Sequence, residues 1–143
     1  MGTSKLSKSE VASRFIAGQN CSQCVLAPWA DELGYAEAAL MRIAASFGGG
    51  MFRGATCGAV TGALIALGMA YGDDSDLLHE KVAEFRAKFT ERFGALNCRD
   101  LVGYDFGVPG ERDKAMEAGA TIEKCPAFVV TAQEILDDLL QDL

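Results

Sequence analysis

Apolar residues along this chain recur at three- and four-residue steps and rarely alternate, a pattern that predicts helices throughout. Ser7-Lys8-Ser9-Glu10 is an S-x-x-E capping box, with Leu6 and Val11 at hydrophobic-staple positions. It predicts a helix running to about Gly18, with Val11, Phe15 and Ile16 on its inner face. Asn20 is placed to cap a second helix that extends through Leu33 and stops at Gly34. A third is expected from about Ala36 to Ser46, ended by Gly48-Gly49-Gly50, since three glycines together disfavour any regular element. Thr56 then caps a fourth helix, from Cys57 to about Tyr71. Leu78, Val82, Phe85, Phe89 and Phe93 mark an amphipathic fifth, from about Ser75 to Phe93. Gly94 ends it. A short helix capped by Asn97 covers Cys98 to Val102, residues 103–110 form a loop, and a polar helix runs from about Glu111 to Ala118. The last helix is predicted to open at Cys125-Pro126, with proline in its favoured first-turn position.

The segment CGAVTGALIALGMAYG of the fourth helix is apolar on every side, as buried central helices are. Gly58 and Gly62 lie one turn apart, so a neighbouring backbone can approach closely there. The fold expected is all-α: a single compact bundle of six or seven helices around this Gly/Ala-rich centre. Residues 1–143 form one domain, with 1–6 disordered.

Composition narrows the function. The chain has 143 residues, 50% apolar and 23% charged, enough to bury a core without disulfides. A net charge of −7 argues against nucleic acid as a partner, since phosphate binding relies on Lys and Arg. No basic amphipathic helix suggests a membrane surface, and the longest apolar run, 58–71, is too short to span a bilayer. The opening MGTSKLSKSE has neither the apolar stretch nor the cleavage site of a signal peptide, so a cytoplasmic location is expected. Stable disulfides are rare there, and five cysteines then point to metal binding or thiol chemistry. The alternative is that free cysteines serve as small buried hydrophobes.

The placement of four cysteines favours chemistry. Cys21 follows Asn20, Cys57 follows Thr56, Cys98 follows Asn97, and Cys125 directly precedes Pro126. Each is thereby expected at the N-terminus of a different helix. Unpaired N–H groups and the helix dipole there favour thiolate, the form that attacks electrophiles and binds metals. The four lie tens of residues apart, unlike ferredoxin or zinc-ribbon spacings, so a tertiary fold would have to gather them. Cys24 completes a lone CxxC with Cys21, but no βαβ pattern surrounds it, and packing is its expected role. Arg53 and Arg99, near Cys57 and Cys98, are candidates to offset thiolate charge or are simply solvated. The glycine-rich stretch FGGGMFRGATC lacks the Gly-Lys-Ser/Thr of a P-loop and reads as a loop close to the cysteines, or as a plain turn. His79, the single histidine, is expected at the surface, as are Asp137, Asp138 and Asp142.

The motif Cys57-Gly58-Ala59-Val60-Thr61-Gly62 reads CGAxxG. With Asn20-Cys21, Asn97-Cys98 and Cys125-Pro126 in that order, it resembles the C_GCAxxG_C_C family of redox-active proteins, over nearly the whole chain. The resemblance implies that Cys21, Cys57, Cys98 and Cys125 are the characteristic cysteines and that Cys24 is not one of them; Cys24, Gly58, Gly62, Arg53 and Arg99 are accessory candidates by their positions beside those four. A related domain accompanies the haem part of split-Soret cytochromes, which implies an iron–sulfur centre. The absence of C-x-x-C-H excludes covalent haem c. Three readings follow: a cysteine-ligated iron–sulfur or other metal cluster for electron transfer or redox sensing, metal-free thiol–disulfide chemistry, and a structural zinc or interaction module. An electron-transfer partner and a homodimer are compatible with them.

Overall fold

The structure, a computed structural model, describes residues 5–141. Among these, nine α-helices and no strand form an all-helical bundle. They are α1 (Lys8–Ile16), α2 (Cys21–Leu26), α3 (Ala30–Leu33), α4 (Glu37–Ile43), α5 (Gly58–Tyr71), α6 (Ser75–Phe93), α7 (Cys98–Val102), α8 (Glu111–Glu117) and α9 (Ala120–Leu139). The count exceeds the expected six or seven because the short and polar segments of the second half are helices in their own right and because the second helix is divided. Pro28 has no N–H to continue an α-helical ladder, and the chain tightens into a 3₁₀ turn, Ala27–Trp29, before α3. Gly34, in the left-handed conformation, then ends α3.

The apolar α5 is the centre of the packing, against α2, α6 and α9. Ala59, Val60, Ala63, Ala66 and Leu67 have no exposed surface. Small residues set its closest approach: a Cβ added to Gly62 would lie 2.7 Å from the Ser22 carbonyl oxygen of α2. On the other side, Phe85, Phe89 and Phe93 of α6 stack and tilt against one another and against Phe128 of α9. The Tyr71 hydroxyl closes the far end of α5 by donating to the Leu139 carbonyl at 2.8 Å.

The capping box of α1 forms as expected, with Ser7 and Glu10 exchanging hydrogen bonds. Leu6 and Val11 are both buried, whereas Ile16, expected inside, is exposed. Of the segment 1–6 expected to be disordered, residues 1–4 lie outside the described residues. Leu6 is tied down, its N–H donating to Gln133 Oε1 at 2.9 Å and its carbonyl accepting from Gln133 Nε2 at 3.2 Å. Asp142 also lies outside the described residues.

Two helix starts differ from expectation. Cys57, not Thr56, is the N-cap of α5, because Thr56 pairs with Asn97 in an isolated antiparallel bridge. The last helix begins at Ala120 behind a left-handed Gly119, so Cys125 and Pro126 lie inside it. Residues 120–124 can propagate a helix, and proline after a full turn removes only one donor from the ladder. Among the described residues, no helix is long and apolar enough to cross a membrane.

Candidate functional site

Three of the four characteristic cysteines stand at helix starts. Asn20 caps α2 through a reciprocal pair, its side chain accepting from Gln23 N–H while Gln23 Oε1 accepts from Asn20 N–H. Cys21 is thus the first residue of α2. The Asn20 amide also donates to the Ala44 and Ala45 carbonyls, which ties the end of α4 to this point. Cys57 and Cys98 open α5 and α7 side by side. The Cys57 N–H donates to the Leu96 carbonyl at 2.8 Å, and the Cys98 N–H donates to the Ala55 carbonyl at 2.6 Å. Cys125 approaches from the second turn of α9.

All four line one cavity of about 630 Å³, whereas Cys24 does not border it and is fully buried in the core behind. Cys57, Cys98 and Cys125 are buried, Cys21 is half-buried, and all five cysteines are free thiols. Gly58 makes room for the site: a Cβ there would lie 2.6 Å from Cys21 Sγ. The glycine-rich loop approaches as expected, and the backbone N–H groups of Gly49, Cys21, Gly58 and Ser22 all favour a Cys21 thiolate.

Those donors do not prevail. Burial is the largest influence on every one of the five thiols and pushes each above the ordinary range. Cys98 is pushed up to about 12, by burial first and then by the charges of Cys21 and Asp105. Cys57 and Cys125 are also raised well above the ordinary range, by burial first and then by the neighbouring cysteines, with Lys124 acting in the opposite direction on Cys125. The expectation that helix starts favour thiolate is corrected here: loss of water costs a buried anion more than a few N–H dipoles return.

The loop over the cavity is unusual. Gly49, Gly50, Met51 and Phe52 all have positive φ, between 58° and 62°. The Ala55 N–H closes the turn on the Gly50 carbonyl at 3.0 Å. Left-handed backbone costs a non-glycine residue about 1–2 kcal/mol, so Met51 and Phe52 hold local strain in the turn that brings Phe52 to the cavity. Phe52 lines the cavity; Arg53 and Arg99 do not. Arg53 is exposed, and Arg99 donates to the Gly54 carbonyl at 3.4 Å. The arginine that borders the cavity is Arg112 of α8, which sequence reasoning passed over. So were Phe15 and Phe106, whose places on the wall carry no local signature. His79 is exposed, its ring Nδ1 2.8 Å from the Ser75 carbonyl.

Among the described residues, no three His, Cys, Asp or Glu side chains stand where they could together hold a single metal ion. The donor set is nevertheless all-sulfur, as soft metals and iron–sulfur clusters require.

An all-helical domain with four cysteines around one cavity defines the class. The model of the family described as "Putative redox-active protein (C_GCAxxG_C_C)" matches residues 19–139, and the chain belongs to that family. Neither the curated proteins nor the solved structures yielded a match.

Proposed function

We propose that the cavity is a redox centre in which Cys21, Cys57, Cys98 and Cys125 hold an iron–sulfur cluster used for electron transfer or redox sensing. The supporting observation is selective convergence: cysteines from four separate elements line one cavity, while Cys24, one helical turn from Cys21, is buried in the core and does not border it. A packing role alone gives no reason for that division. A cluster spreads its cysteine ligands over several metal atoms, which suits four thiols around a roomy cavity better than the tight tetrahedron of one zinc ion. When bound, such a cluster supplies one-electron chemistry. The protein's own part is to exclude water, to aim backbone N–H groups at Cys21, and to release thiol protons as metal enters. The cytoplasm is the proposed compartment, where five thiols stay reduced, and an electron-transfer protein is the proposed partner.

Anaerobic purification with visible spectroscopy and iron, sulfide and zinc analysis tests the proposal. Broad visible absorption with bound iron and sulfide is the expected result. Colourless protein carrying zinc, or no metal, overturns it. Metal-free thiol–disulfide chemistry is the second reading. Its support is that Cys21, Cys57, Cys98 and Cys125 line the same cavity, where charge on Cys21 bears on the other three as it does on Cys24. The raised thiols count against it, since thiolate is the attacking form.

A further inference from the structure

The cavity is larger and more apolar than a cysteine centre by itself calls for. Its volume, about 630 Å³, is in the range of small-molecule sites. Apolar side chains on its wall stay open to solvent: Ile16 is 78% exposed, Phe52 59%, Met116 44% and Ile122 41%. They come from α1, the left-handed turn, and the consecutive helices α8 and α9, so three separate stretches of chain each leave large apolar groups at one rim. Isolated exposed apolar residues are ordinary on a surface, but several gathered at one opening mark a binding site.

The polar groups on the wall narrow the ligand. The Asn20 and Gln23 side chains are bonded to each other's backbone and to carbonyls at the end of α4. Gln19 is held between Arg14 and Met41. The one charged residue on the wall is Arg112, and among the described residues its guanidinium has no hydrogen-bond or ion-pair partner. In a chain of net charge −7, one unpaired cation beside an apolar opening selects for an anion.

We infer that the outer part of the cavity binds a small organic anion, with an apolar body seated among Phe52, Met116 and Ile122 and a single carboxylate or similar group on Arg112. This inference rests on the redox reading only in taking such a molecule as the compound that meets the cysteine centre; the binding itself is separable.

Calorimetric titration of the full chain with 2-naphthoate and with uncharged 2-naphthylmethanol tests it. Saturable 1:1 binding is expected, with the anion favoured about fivefold to tenfold, the value of one accessible charge-assisted contact. Arg112→Gln should abolish that preference and leave the neutral compound's affinity unchanged. Ile122→Glu, at an exposed position, should weaken both. Equal affinities, no saturable binding, or an unchanged preference in Arg112→Gln overturns the inference. Self-association that excludes both compounds, read by sedimentation, also overturns it by assigning the rim to a second copy. Iron and sulfide are measured on the same preparations. Cluster-bearing protein that binds neither compound defeats this inference alone, and metal-free protein that binds the anion defeats the redox proposal alone.

Discussion

Cys57 and Cys98 are clamped side by side by a two-bond backbone bridge, each N–H donating to the carbonyl two residues before the other cysteine. The bridge between Thr56 and Asn97 makes the starts of α5 and α7 a single unit, although 41 positions of chain, with all of α6 between them, separate the two cysteines. Backbone hydrogen bonds fix this pair, so its spacing does not depend on the side chains around it. Cys21 and Cys125 are brought to the pair by packing of α2 and α9 against α5.

That division of labour separates the cysteines by substitution. Cys21→Ser removes a thiol from the cavity and is expected to abolish bound iron or the redox response. Cys24→Ala changes only a core residue, since Cys24 borders no part of the cavity. It should retain metal content near that of the parent, with a modest loss of stability of about 1 kcal/mol from the space left behind. Equal loss of metal in both variants would show that the CxxC acts as a pair.

Close packing of α5 on α2 makes Gly62 irreplaceable. Alanine is better than glycine in a helix interior by about 0.8–1.0 kcal/mol, so propensity alone favours Gly62→Ala. Its Cβ would sit 2.7 Å from the Ser22 carbonyl oxygen and 3.0 Å from Ser22 Cα, both backbone atoms that cannot swing aside. Net destabilisation of about 1–3 kcal/mol is expected for Gly62→Ala and more for Gly62→Leu. Urea unfolding checks it: a midpoint at or above that of the parent would mean that α2 yields easily.

The buried Gln133 is the anchor of the N-terminal segment. It satisfies both backbone groups of Leu6, across 127 positions of sequence. Gln133→Leu keeps much of the volume and strands two backbone groups in an apolar setting. A loss of about 1–3 kcal/mol is expected, together with faster amide exchange at Leu6. Unchanged exchange there would show that the staple with Val11 suffices.

The thiols predict a direction for pH dependence in protein without metal. Burial, then the charge of Cys21, lifts Cys24 to about 12, and burial lifts Cys98 to about 12, from an unfolded value near 9.0. Folded protein therefore holds protons that unfolded chains release. The contribution to stability is complete below pH 9 and is lost as pH rises from 9 towards 12. Urea midpoints should be level from pH 7 to 8.5 and fall at pH 10. Alkylation by iodoacetamide should be slow at pH 7 in the native state and fast after unfolding. Rapid native-state alkylation at pH 7 would show a thiolate that burial does not suppress.

Much of the fold was legible locally. The capping box at Ser7, the amphipathic stripe of α6 from Ser75 to Phe93 with its Gly94 stop, and the all-round apolarity of α5 are properties of short segments, and each appears where the sequence places it. The same was true of Cys21 at the start of α2, because capping by Asn20 is decided by neighbouring residues; Cys98 opens α7 as expected, although Asn97 before it makes no side-chain capping bond. Where local signals competed, sequence reading failed. Thr56 is a good cap by type, but its pairing with Asn97 handed the role to Cys57. Pro126 fits a first turn equally well, yet the residues from Ala120 to Cys125 before it are helical. What only the tertiary structure decided is the cavity: that four distant cysteines share it, that Arg112 and not Arg53 or Arg99 borders it, and that its rim is apolar. These depend on how α1, α8 and α9 lie on the central helix, contacts between residues far apart in the chain. The raised thiols have the same origin. A helix start tells a cysteine which dipoles it will meet, but only the surrounding fold decides how much water it loses, and for a buried anion that loss is the larger quantity.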